Sequence, residues 1–166
     1  MNPPATREHS YLTTLTWTAE QGTTSSYTSY SRNHQVESSG KAPLALSSDP
    51  NFRGDPACWN PEDLLVASLS SCHMLWYLHL CAVQKIHVLR YEDRAEGVMV
   101  VDGESGRFRQ VTLRPRVTIA AGADPAVAAR LHDEAHRACF IANSVSFEVG
   151  HEATVVTAEG GANPLD

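Results

Sequence analysis

Residues 64–83 contain no Asp, Glu, Lys or Arg. An uncharged run of that length must either cross a bilayer or be covered by protein. This run carries Ser68, Ser70, Ser71, His73 and His79 together with Cys72 and Cys81, polar groups that a lipid-facing helix disfavours. The flanking chain reads as β-strands, not as loops between spans. The expectation is a buried helix and no membrane partner. Its start is well marked: Asn60 offers a cap, Pro61 suits the first helical position, and Glu62 and Asp63 meet the positive end of the dipole. The helix should run to about Ala82, with Leu65, Leu69, Cys72, Trp76 and Leu80 on one stripe and neighbours on all sides.

Residues 11–17 alternate apolar with Thr, the period of a half-buried strand. Residues 25–36 read as a second strand. Residues 40–59 hold Pro43, Pro50, Gly54 and Pro56 and read as a long loop, the kind that is functional or mobile. Residues 98–101 and 108–119 suggest a hairpin around Gly103-Glu104-Ser105-Gly106. Val111, Leu113, Val117 and Ile119 share one face of it, and Arg114 and Arg116 point the other way. Asp124-Pro125 caps a second helix with Val127, Leu131, Ala135 and Ala138 as its apolar stripe. Cys139 sits in its last turn. Val145, Phe147 and Val149 begin a final strand. Strands, helix, strands, helix, strand in that order indicate an α+β fold. One domain is expected over residues 10–157, between flexible segments at 1–9 and 158–166.

Nineteen acidic residues against thirteen basic ones give a net charge of −6, which argues against nucleic acid as the partner. The N-terminus lacks the apolar core of a signal peptide, so a cytoplasmic location is expected. Four cysteines in a reducing compartment are more often catalytic, redox-active or buried than structural disulfides. Position alone does not separate Cys72 and Cys139 from Cys58 and Cys81, since any of them reads equally as a small buried hydrophobe. Glu62 has an ordinary role as a first-turn acid. His132 and His136 stand at i and i+4, with Cys139 three residues on, which is workable spacing for zinc. The following residue is Asp133, too short for the usual general base, so an exposed helical face is expected there. His73 points about 100° away from Cys72 around the helix and reads as a core histidine. Trp76, Tyr77, Phe140 and Phe147 suit either a core or an apolar pocket.

Asn60-Pro61-Glu62-Asp63-Leu64-Leu65-Val66-Ala67-Ser68, followed by Ser71-Cys72, resembles the N-P-E-x-L-x-x-A…C stretch of the OsmC/Ohr family of osmotically inducible and organic hydroperoxide resistance proteins, on its OsmC-like branch. Ala135-His136-Arg137-Ala138-Cys139, followed by Asn143-Ser144, resembles that family's second cysteine segment. The resemblance extends over residues 10–157. It implies the OsmC-like fold: antiparallel sheets packed around a long central helix in an intertwined homodimer. It also implies a peroxidase acting on organic hydroperoxides without metal or cofactor. Cys72 would attack the peroxide and become a sulfenic acid, and Cys139 would close a Cys72–Cys139 disulfide. An external dithiol, of lipoyl type in this family, would reopen it.

A mid-helix thiol needs a nearby cation to reach the thiolate form. The family supplies an Arg, held by the Glu that corresponds to Glu62. Arg53 in Phe52-Arg53-Gly54-Asp55 is the favoured match, and Arg32 is the alternative; a surface ion pair is the ordinary role of either. The family assigns nothing to Cys58 or Cys81. A zinc hydrolase using His132, His136 and Cys139, and a non-catalytic stress protein on the same fold, are the competing functions.

Overall fold

The computed structural model describes residues 7–19 and 22–158. Expectations for residues 1–6 and 159–166 lie outside the described residues. Within them the fold is α+β, and its contacts fall into two units, residues 1–63 and 64–166.

The N-terminal unit is built on a three-stranded antiparallel sheet: β1 (Thr14–Thr16), β2 (His34–Glu37) and β3 (Leu44–Leu46), in that order. The strand expected over residues 11–17 is shorter, and its Leu15 is 62% exposed rather than half-buried. β1 lies at the sheet edge. The strand expected over residues 25–36 is confined to its last part, because residues 25–31 turn on Ser and Thr side chains; Ser29 Oγ receives Ser26 N at 2.9 Å. Residues 40–59 are an ordered segment, holding β3 and a 3-10 turn at Pro50–Phe52. Asp49 caps that turn through Asn51 N at 2.7 Å.

Helix α1 spans Pro61–Val83 without interruption. Asn60 Oδ1 receives Asp63 N at 2.7 Å, while Asp63 Oδ2 receives Asn60 N at 3.4 Å. This is a reciprocal cap made by the residues the sequence marks. At the other end Lys85 adopts a left-handed conformation and Ile86 N bonds to Cys81 O at 2.8 Å, which closes the helix.

In the C-terminal unit, β4 (Val88–Asp93), β7 (Pro115–Ile119) and β9 (Thr154–Thr157) form one sheet, with β7 in the middle. β5 (Glu96–Asp102), β6 (Ser105–Leu113) and β8 (Glu148–His151) form another around β6. Neither is the purely antiparallel sheet expected. β6 pairs with β8, and β7 with β9, in parallel. A parallel pair needs a long crossover, and helix α2 (Pro125–Ala138) lies in the chain between the partners of each pair. The long strand expected over residues 108–119 is two strands, divided at Arg114. Pro115 has no N–H to continue a ladder, and Arg114 N turns instead to Asp93 Oδ1 at 2.7 Å. β4 and β9 were absent from the sequence reading, and β8 begins at Glu148, later than expected.

Two cores result. Tyr77, Cys81, Val117, Ile119, Leu131 and Ala135 are buried together between α1, α2 and the inner face of the β4–β7–β9 sheet. Leu69, Val111 and Leu113 form the second, with Phe108 and Phe147 packed against it.

Candidate active site

The buried residues of α1 are Leu69, His73, Tyr77 and Cys81, one every four positions. The stripe expected through Cys72, Trp76 and Leu80 is therefore rotated by one residue, about 100° of the helix. Because every face of α1 is uncharged beyond Asp63, the apolar pattern did not fix which face turns inward. Within the described residues of one chain neighbours do not surround the helix: Leu75 is 60% and Val83 63% exposed.

The rotation leaves Cys72 half-buried on the wall of an apolar cavity of about 520 Å³. Leu75, Trp76 and His79 follow it at i+3, i+4 and i+7, and Ser68 precedes it at i−4, all lining the same space. Phe140 and Ile141 close the far side, just after α2. Phe140 stands edge-on to Trp76, with ring centroids 5.4 Å apart. Trp76 and Phe140 are thus pocket residues, whereas Tyr77 and Phe147 belong to the cores. Leu75, His79, Ser68, Ser71 and Ile141 were missed; helical spacing from Cys72 was the available signal for the first three.

Cys139 is the C-terminal capping residue of α2 and is buried. Its thiol lies beside the Cys72 side chain, and its sulfur accepts a hydrogen bond from Ala142 N at 3.4 Å. Burial, with Cys72 beside it, pushes the Cys139 thiol up to about 11. The two cysteines are brought together although 67 positions separate them in the chain. All four cysteines are unpaired thiols; Cys81 is fully buried in the first core, and its thiol is raised by that burial.

Glu62 sits in the first turn of α1, half-buried, ten residues before Cys72 along the unbroken helix. In the N-terminal unit, Arg53 ends the 3-10 turn with φ of 67°, a left-handed conformation uncommon outside glycine. Its side chain is exposed and makes no hydrogen bond or ion pair among the described residues. Arg32 is committed: its guanidinium donates to Tyr30 O at 2.8 Å and Tyr27 O at 2.6 Å, and lies over both tyrosine rings.

The histidines of α2 do not form the exposed face expected of them. His132 is fully buried, and its Nδ1 is 3.0 Å from Nε2 of the equally buried His73. Burial lowers His73 to about 4 and His132 to about 3. Among the described residues no three His, Cys, Asp or Glu side chains are disposed to hold a metal ion. Of the set His132, His136 and Cys139, His132 pairs with His73, His136 lies against His151, and Cys139 lies beside Cys72.

The model of the OsmC-like protein family matches residues 54–153. An OsmC-like protein of unknown function from Vibrio cholerae superposes with a TM-score of 0.78 at 33% identity, over 89% of this chain and all of that one. The organic hydroperoxide resistance protein OsmC of Legionella pneumophila shares the fold at 22% identity and TM-score 0.65, covering 90% and 98% of the two chains. OhrB, the organic hydroperoxide resistance protein of Bacillus subtilis, does so at 18% and 0.60, covering 89% and 98%. No curated protein matches the sequence. The match to the family model, over well more than half of the chain, together with the Vibrio cholerae relative, makes this chain a member of the OsmC-like protein family.

Proposed function

We propose that this chain is a two-cysteine peroxidase that reduces organic hydroperoxides to alcohols. The observation that carries the reading is the nearness of Cys139 to Cys72 beside an apolar cavity. The Cys72 thiolate attacks one peroxide oxygen. An S–O bond forms as the O–O bond breaks, and the electron pair leaves on the alkoxide, which takes a proton and departs as the alcohol. Cys72 is left as a sulfenic acid. The Cys139 sulfur then attacks the Cys72 sulfur; a disulfide forms, and the hydroxyl leaves with the Cys139 proton as water. An external dithiol, of lipoyl type, reopens the bridge by exchange and is itself oxidised.

Burial supports this division of labour. A thiol held near 11 stays protonated at neutral pH and makes a poor first nucleophile, whereas Cys72 faces the cavity. Leu75, Trp76, Phe140 and Ile141 favour an organic group over hydrogen peroxide. Arg53 is the better activating cation because its guanidinium has no partner among the described residues, unlike that of Arg32.

A homodimer completes the reading. Ten residues of unbroken helix place Glu62 about 15 Å from Cys72 along the axis, so Glu62 is proposed to serve the Cys72 of a second copy. Exposed Leu75 and Val83 on α1, and Tyr11, Leu12 and Leu15 near β1, are apolar surface that a second chain would cover. A reducing, cytoplasmic setting suits the cycle. The test is turnover of cumene hydroperoxide with dihydrolipoamide as reductant. The wild-type chain should cycle and Cys72→Ser should not; an equally active Cys72→Ser chain overturns the reading.

A further inference from the structure

We infer that the outer face of the β4–β7–β9 sheet binds a small polyanion, of phosphate or polycarboxylate chemistry. Alternation along β4 and β7 sends Tyr91, Val117 and Ile119 inward to the core and Arg90, Glu92 and Arg116 outward. A cavity of about 610 Å³ on that outer face is lined by Arg90, Glu92, Arg94, Arg114, Arg116 and Thr118. Its size is that of a small-ligand site.

Four guanidinium groups thus line the cavity, against three carboxylates that pair with them, Glu92, Glu96 and Glu152, in a chain whose net charge is −6. Glu92 is shared by Arg90 at 2.8 Å and Arg94 at 3.6 Å. Arg114 is held by Glu96 and Glu152, each at 3.0 Å. Arg116 stands directly across the ladder from Glu92, yet makes no ion pair among the described residues. The four guanidinium groups outnumber the carboxylates that pair with them, and an anion among them lowers their mutual repulsion. The carboxylates fix the orientation of Arg90, Arg94 and Arg114, and Arg116 supplies an unused fork suited to a planar or tetrahedral oxyanion. The walls are mainly polar, so recognition is chiefly by charge and is weakened by salt. The site lies on the far side of the sheet from the helices that carry Cys72 and Cys139.

Calorimetric titration of the full chain with tripolyphosphate, and separately with citrate, at low ionic strength tests this. Saturable binding of one equivalent is expected, and the stronger of the two ligands identifies the chemistry. R116E should weaken it by about tenfold or more. E92Q should strengthen it, because it frees Arg90 and Arg94. R130E, the same charge change on exposed α2, should leave affinity within about twofold. Absence of saturable binding to either anion overturns the inference, as does equal loss in R130E and R116E. If R116E does not fold, the sign of the E92Q effect decides, and weakened or unchanged binding there counts against the site.

Discussion

His73 and His132 meet ring to ring in the interior, Nε2 to Nδ1 at 3.0 Å, and join α1 to α2. One ring must donate and the other accept, so the contact exists only while at least one of the pair is neutral. Each ring's remaining nitrogen is buried without a partner among the described residues. His151 and His136 lie nearby, with Asp133 against His151 at 3.3 Å, and Tyr77 and Tyr91 stack or tilt against His132.

Acid should therefore loosen the fold. In the unfolded chain these histidines protonate near 6.5, but in the folded chain only near 4 and 3. Below about pH 6.5 the unfolded state binds more protons, so stability falls as pH falls. Each histidine contributes a loss of roughly 2 kcal/mol by pH 5. Urea unfolding at pH 7.5, 6 and 5 should show the midpoint dropping, and His132→Gln should flatten that dependence. A midpoint independent of pH between 7.5 and 5 contradicts the role given to the pair.

The sequence marked where α1 begins, because Asn60, Pro61 and Asp63 act locally and each meets a rule of helix termini. It did not mark which face of α1 turns inward. Leu65–Leu69–Cys72–Trp76 and Leu69–His73–Tyr77–Cys81 differ little in polarity, and only packing against α2 and the sheets chooses between them. β4 was hidden because Arg90, Glu92 and Asp93 make up half of it, and only Val88 and Tyr91 pack against the core. The Cys72–Cys139 pairing came from family resemblance. Nothing in spacing predicts that the end of α2 reaches the middle of α1, nor that Phe140 closes the cavity.

Cys139→Ser should consume about one equivalent of hydroperoxide and then stall, because attack precedes resolution. Trapping with a sulfenic-acid reagent should label Cys72 in that variant. Failure to form any sulfenate at Cys72 would mean that the roles are reversed.

Arg53→Ala should move the alkylation profile of Cys72 to higher pH, by removing the charge that favours thiolate, and should slow peroxide reduction by about tenfold or more. Arg32→Ala should chiefly disturb the packing of Tyr27 and Tyr30. If the Arg53→Ala profile coincides with that of wild type, the activating cation lies elsewhere.

Complementation separates action within one chain from action between two. Cys72→Ser and Glu62→Ala chains, unfolded together and refolded, should regain activity well above either parent, since a mixed dimer holds one site with both residues intact. Mixed dimers that form and stay inactive would place Glu62 in its own chain's site, or outside the chemistry.

Peptide mapping by mass spectrometry after one equivalent of cumene hydroperoxide reads out the bond on which the whole proposal rests. The expected product is a single Cys72–Cys139 disulfide, with Cys58 and Cys81 still alkylatable after unfolding and with the alcohol released in equal amount. Four reduced cysteines after that treatment, or a bridge joining any other pair, would contradict it.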